Sequence, residues 1–106
     1  MEHKISKKNK FILIQLSGDI DLYCSQDARK IILKEVKKGD DVIVDLSGVS
    51  YLDSSGVACL VEGYQLANEK TSGFSLVGIS ESAMNVLKLA RLDTVFTIYK
   101  TLEDIK

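Results

Sequence analysis

The stretch VIVDLSGVSYLDSSGV, Val42 to Val57, carries three signals in order. Val42-Ile43-Val44-Asp45-Leu46 is short, β-branched and almost unbroken in its apolarity. Such a run predicts a strand covered on both faces, as in a sheet with helices packed on it. Ser47-Gly48-Val49-Ser50 reads as a loop. Asp53-Ser54-Ser55-Gly56 then precedes an apolar series in which Val57, Leu60, Val61 and Tyr64 fall at i, i+3, i+4 and i+7, the spacing of one helix face. Either Asp53 or Ser54 supplies the N-cap, a further hydroxyl decorates the first turn, and Gly56 permits close approach of backbone. The helix should end before Gly73.

The same alternation extends outward on both sides. Upstream, Phe11 to Leu16 is β-branched and apolar, with Gly18 ending a predicted strand. Ile5 belongs to a preceding edge strand, with Asn9 and Lys10 in the turn. Ser25 is the expected N-cap of a helix in which Ala28, Ile31, Ile32 and Val36 share a face. Asp27 suits its positive end, Lys34, Lys37 and Lys38 suit its negative end, and Gly39 closes it. Downstream, Phe74 to Ile79 reads as a strand. Ser80 caps a helix carrying Ala83, Val86, Leu87 and Ala90 on one side, Val95 to Tyr99 reads as a last strand, and Lys100 to Lys106 as a short terminal helix. Strands alternating with helices imply an α/β sheet with mostly parallel neighbours and right-handed crossovers. With no repeat or linker, the chain is expected to form one domain over residues 1–106, with its core at about 4–100.

The composition excludes several classes. The chain has 106 residues, 45% of them hydrophobic and 27% charged, with no proline or tryptophan, so it should fold. Its 14 basic and 15 acidic residues leave a net charge of −1, which argues against direct nucleic-acid binding. Lys4, Lys7, Lys8 and Lys10 read as a solvated edge or frayed terminus. No apolar run is long enough for a membrane span, and the N-terminus lacks the apolar core of a signal peptide, so a cytoplasmic location away from membranes is expected. Cys24, Cys59 and the single His3 make no metal site, and the two thiols read as free and buried.

Enzyme chemistry finds little support. Serine nucleophiles need a base, and His3 lies in a terminus expected to be mobile. Asp53-Ser54-Ser55-Gly56 is not the nucleophile elbow, and no phosphate-cradling loop or cofactor motif is present. A phosphoaspartate receiver would share the topology, and Asp19 and Asp21 resemble its acid cluster. Asp45, however, sits within an apolar strand, and no lysine closes the later one. The hydroxyls before Val57 admit a different chemistry. A phosphate at a helix N-terminus meets free backbone N–H groups and the positive end of the dipole, and it adds about −1.5 to −2 charges beside Asp53. That makes a surface switch needing no catalytic residue of its own.

LSGDID (Leu16 to Asp21), VIVDLSGVSYLDSSGV (Val42 to Val57) and FSLVGISESAMNVLKLARLDTVFTIY (Phe74 to Tyr99), in this order, resemble a STAS domain, and more narrowly the bacterial anti-sigma factor antagonists. The resemblance covers nearly the whole chain. It implies a single α/β STAS domain with a mixed sheet of four or five strands and about four helices. It implies a non-enzymatic protein, without cofactor or metal, that binds an anti-sigma factor with serine kinase activity and so releases a sigma factor. Phosphorylation by that kinase switches binding off, and a serine phosphatase reverses it. Carried over residue by residue, Ser54 is the phosphoacceptor, and Asp21, Asp53, Ser54, Ser55 and Gly56 form the partner-binding face. Asp19 and Asp21 also admit the plainer role of capping a turn, and Ser47 and Ser50 that of satisfying loop backbone. The run Gly56-Val57-Ala58 departs from the family's glycine–aliphatic–glycine, with alanine still small. The alternative within the same fold is a regulatory subunit that binds the ATPase of a lipid-transport ABC complex. In isolation the chain is expected to be a monomer.

Overall fold

The computed structural model describes residues 1–8 and 10–105. Among these residues the chain runs β1 (Glu2–Lys7), β2 (Ile12–Ile20), α1 (Ser25–Lys37), β3 (Val42–Leu52), α2 (Ser54–Glu69), β4 (Phe74–Val77), α3 (Glu81–Leu89), β5 (Thr97–Tyr99) and a 3₁₀ turn (Leu102–Asp104). The strands form one sheet in the order β1-β2-β3-β4-β5. β1 is antiparallel to β2, and all later neighbours are parallel. The expected α/β alternation and mixed sheet are therefore present, with three α-helices among the described residues where about four helices were expected.

Right-handed crossovers that step through a sheet in one direction put every helix on the same face. The packing follows that rule. Ile12, Ile14, Leu16, Val42, Val44, Leu46, Phe74 and Leu76 face Ile32, Val57, Leu60 and Leu87 of the helices in one core. The alternate strand positions Leu13, Ile43 and Val77 form a second, smaller cluster with Phe11, Tyr99 and Ile105. β3 is thus apolar on both sides, as expected, but helices cover only one of them. Residues from the chain's outer segments cover the other.

Several expected boundaries move. β2 does not stop at Gly18. That residue adopts φ +88°, a left-handed conformation glycine takes without strain, and pairing continues to Ile20 opposite Leu52. Consequently Ser47 to Ser50 are not a loop. β3 runs through them to Leu52, with register shifts between Gln15 and Ser17 and between Gly18 and Asp19 absorbing the mismatch. The chain start is an edge strand, as read from Ile5, and not a frayed end; Lys4 and Lys7 lie in it, and Lys8 and Lys10 follow it. His3 lies within it, paired with Leu16, and lysines along such an edge discourage pairing with another chain. Of the turn assigned to Asn9 and Lys10, Asn9 lies outside the described residues, as does Lys106, while the Lys8 amide donates to the Phe11 carbonyl at 2.8 Å. β4 ends at Val77, where the chain turns at Gly78 (φ +71°), and β5 is limited to Thr97–Tyr99. The terminal helix is one 3₁₀ turn.

The helices pack largely as their spacing predicts, with one additional row in α2 and one exception in α3, where Ala83 and Leu87 are buried and Val86 half-buried but Ala90, the C-cap, is exposed. Val57 and Leu60 are buried, Val61 and Tyr64 half-buried, and Cys59, Gly63 and Ala67 are buried on the side toward α1. A Cβ at Gly63 would come within 2.7 Å of Ile32, so that row sets how closely the two helices approach. The Tyr64 ring meets the edge of Phe96 at 5.5 Å between centroids. Arg29 and Glu62 form an ion pair across α1 and α2. No helix among the described residues is long and apolar enough to cross a membrane.

Candidate functional site

The C-terminal ends of β2 and β3 lie side by side, with Ile20 opposite Leu52. β3 passes into α2 through Asp53 alone and β2 into α1 through Asp21 to Cys24, so two short connections converge at the C-terminal end of the sheet, where parallel α/β folds build their sites. The amide of Asp53 donates to the carbonyl of Ile20 at 3.3 Å and ties the two loops together.

Asp53 is the N-cap of α2. Its backbone is extended (φ −100°, ψ −174°), and its Oδ1 accepts the amides of Ser55 at 2.9 Å and Gly56 at 3.1 Å. The Ser55 hydroxyl donates to the same oxygen. This settles the choice left open between Asp53 and Ser54: the carboxylate caps, and Ser54 is the first helical residue. The Ser55 hydroxyl, followed by the amides of Gly56, Ser55 and Leu22, holds the Asp53 carboxyl below its ordinary value of 3.8, against the opposing effect of desolvation. Ser55 is half-buried and turned inward, whereas Ser54 is exposed. Gly56 is buried against the sheet. A Cβ there would fall 2.4 Å from Leu52 Cδ1 and 2.9 Å from Ile20 Cγ2, so only glycine lets the first turn sit this close to the strand ends.

Asp21 organises the other loop. Its Oδ1 accepts the amide of Tyr23 at 3.0 Å, an Asx turn, and its carbonyl accepts the amides of Cys24 at 3.2 Å and Ser25 at 2.8 Å. The expected N-cap role of Ser25 is not observed. Cys24 occupies that position without a side-chain cap, and Ser25 is buried with its hydroxyl donating to the Leu22 carbonyl at 3.4 Å. Asp19 is exposed, and its carbonyl receives the Cys24 thiol at 3.0 Å. Cys59 is buried as expected and donates to the Ser25 carbonyl at 3.0 Å, but Cys24 is only half-buried.

All five residues named from the sequence therefore meet at one edge, with different parts in it. Ser54 is free at the surface of the helix start, Asp53 and Asp21 hold their loops through backbone amides, Ser55 supports Asp53, and Gly56 is a packing element. Ser47 and Ser50 point outward from β3; the Ser47 amide donates to Asp45 Oδ1 at 2.9 Å. Three large side chains went unnoticed in the sequence. Leu22 is 74% exposed, Tyr23 95% and Tyr51 53%. The available signal was two large apolar residues at a strand-to-helix turn, outside both periodic patterns.

Comparison with known proteins aligns the whole of this arrangement. A family model described as STAS domain matches residues 3–105. The anti-sigma-B factor antagonist of Bacillus subtilis (strain 168) is 22% identical over 94 residues, spanning 89% of this chain and 86% of its own. That of Listeria monocytogenes is 27% identical over 86 residues, spanning 80% and 75%. The crystal structure of an anti-sigma factor antagonist from Mycobacterium paratuberculosis superposes with a TM-score of 0.89 at 25% identity, covering 97% of this chain and 88% of that one.

Proposed function

Because the chain belongs to the STAS-domain family, we propose that it is an anti-sigma factor antagonist, a binding regulator with no catalysis of its own. In this reading the unmodified protein binds an anti-sigma factor that is also a serine kinase, and a sigma factor is released. The kinase then phosphorylates Ser54, the complex separates, and a serine phosphatase restores the binding form. Such a circuit operates in the cytoplasm.

The observation that carries the reading is the division of labour between two adjacent hydroxyls. Ser55 donates to the Asp53 carboxylate, while Ser54 stands exposed as the first residue of α2. A phosphoryl group on Ser54 would meet the positive end of the helix and stay in water, so modification need not disturb the core. It would also lie beside Asp53 and Asp21, giving a partner that seats on this edge a dianion to accommodate.

The test is direct. The protein is incubated with an anti-sigma factor kinase and ATP, and the phosphate is mapped by mass spectrometry. One phosphate on Ser54, absent from Ser54→Ala, is the expected result. Labelling of Ser54→Ala equal to wild type would overturn the assignment.

A further inference from the structure

Asp21 and Asp53 are the acids that the family resemblance puts on the partner-binding face, yet both are engaged within the chain. Asp21 Oδ1 accepts the Tyr23 amide, and Asp53 Oδ1 accepts three donors from the first turn of α2. The Leu22 amide also lies near enough to Asp53 to contribute to its lowered pKa. Asp21 holds the Leu22-Tyr23 segment directly through the Tyr23 amide, and Asp53 ties its base to the start of α2 through its own amide on the Ile20 carbonyl at 3.3 Å. The Leu22 and Tyr23 side chains are 74% and 95% exposed, although they are the largest in the loop. Tyr51, 53% exposed, stands opposite Asp19 in the register of β2 and β3 at the same edge.

We propose that Leu22 and Tyr23 are the apolar anchor by which this protein grips its anti-sigma factor, and that Asp21 and Asp53 are positioning residues which keep the anchor presented. The inference rests on the proposed function and adds to it the residues that carry affinity. Scattered exposed apolar side chains are ordinary, and Leu89 on α3, 87% exposed, is one such. Leu22 and Tyr23 differ in three respects. They are consecutive, an Asx turn fixes their backbone, and they adjoin the loop that displays Ser54. A tyrosine held by its backbone loses little further freedom on binding, which is why such residues dominate interface energetics.

Charge defines the partner further. No lysine or arginine occurs from Asp19 to Ala28 or from Asp40 to Glu69, so the two segments that meet at the anchor bring the acids Asp19, Asp21, Asp27 and Asp53 and no basic side chain of their own. The complementary surface is an apolar cleft wide enough for a leucine and a phenol ring, with basic side chains around it. Ser54 directly follows Asp53, so its phosphate would stand beside the anchor. Closing the cleft would strip water from a dianion, which opposes binding even where the rim is basic.

Binding of the purified anti-sigma factor kinase to the full chain, followed by calorimetry, tests this. Leu22→Ala and Tyr23→Ala are each expected to weaken binding by about tenfold or more, with circular dichroism and thermal midpoint unchanged. Leu89→Ala, away from the edge, should bind as wild type. Asp21→Ala should weaken binding because the Asx turn is lost, and Asp21→Asn should restore it, since an amide oxygen still accepts the Tyr23 amide. Wild-type affinity in the double variant Leu22→Ala/Tyr23→Ala overturns the anchor and leaves the proposed function standing. Loss of binding in Asp21→Asn equal to that in Asp21→Ala would make the carboxylate itself the contact and overturn the positioning role. Failure of wild type to bind any anti-sigma factor would overturn the proposed function, and the anchor with it.

Discussion

The hydroxyl of Ser55 turns back onto the carboxylate of Asp53, the residue that caps its own helix. Together with the Ser55 and Gly56 amides, it gives one carboxylate oxygen three donors and leaves the neighbouring Ser54 hydroxyl on the outside of the first turn. Two chemically identical side chains, one residue apart, thereby acquire different surroundings: one belongs to the cap and the other to the surface.

The cap should be visible in the pH dependence of stability. The folded-state pKa of Asp53 is lowered from 3.8, so its ionised form is the stabilising one. That contribution is complete above the unfolded value and is lost as pH falls through the folded value. Wild type should exceed Asp53→Ala in urea midpoint at neutral pH, and the gap should narrow as the solution becomes strongly acid. A gap independent of pH across that range would show that the charge of Asp53 is immaterial to the cap.

Gly56→Ala should destabilise the protein even though alanine is the better helix former. The added methyl meets Leu52 Cδ1 at 2.4 Å, Ile20 Cγ2 at 2.9 Å and the Ile20 carbonyl oxygen at 3.1 Å. Overpacking of this kind costs about 1–3 kcal/mol, more than the roughly 1 kcal/mol of helix propensity recovered. Urea denaturation measures the balance, and a variant more stable than wild type would mean that the helix start yields without strain.

These residues also mark how far the sequence could be read. The α2 start was legible because a cap and an apolar i, i+3, i+4 series are local signals. The length of β3 was not. Ser47, Gly48 and Ser50 have loop composition, and what makes them a strand is bulged pairing with Ser17 to Ile20, a relation between segments far apart in the chain. The α1 start misled for a similar reason: Ser25 has a capping side chain, but the turn held by Asp21 buries it. The uniform apolarity of Val42 to Leu46 announced burial on two faces without saying that Phe11, Tyr99 and Ile105 would cover one of them. At the candidate site, the local pattern marked a capped helix start, and the family resemblance singled out Ser54 and the acids. The division of roles among them depends on hydrogen-bond directions that no spacing encodes.

Asp45 is a buried carboxylate, 6% exposed, that joins strands and takes no part in the proposed switch. Its Oδ1 accepts the Ser47 amide at 2.9 Å and its Oδ2 the Gln15 side-chain amide at 3.3 Å. Asp45→Ala leaves both donors without their acceptor, and the expected loss is about 1–3 kcal/mol. Asp45→Asn, which still accepts from Ser47, should lose less. Equal urea midpoints for wild type and Asp45→Ala would show that water replaces the carboxylate at no cost.

The two thiols should differ in reactivity. Burial, chiefly, pushes the Cys59 thiol above its ordinary 9.0, and the Ser25 and Ser55 carbonyls accept its proton at 3.0 and 3.3 Å. Thiolate is the reactive form, so an alkylating reagent under native conditions should modify the half-buried Cys24 first and reach Cys59 only on unfolding. Peptide mapping after timed alkylation decides it; equal rates at the two positions would mean that the contact between α1 and α2 opens readily.

The contrast between Ser54 and Ser55 yields the sharpest expectation. Ser54→Glu places a charge outside the cap and should leave the thermal midpoint near that of wild type while weakening binding to the anti-sigma factor. Ser55→Ala removes a donor from Asp53 and should do the reverse: lower the midpoint, keep binding at temperatures where the fold is intact, and leave Ser54 open to the kinase. Calorimetric binding and thermal melts on the two variants separate switch from scaffold. If Ser54→Glu binds as wild type does, a charge at this helix end is no obstacle to the partner, and the phosphate would have to act by its bulk or at another residue.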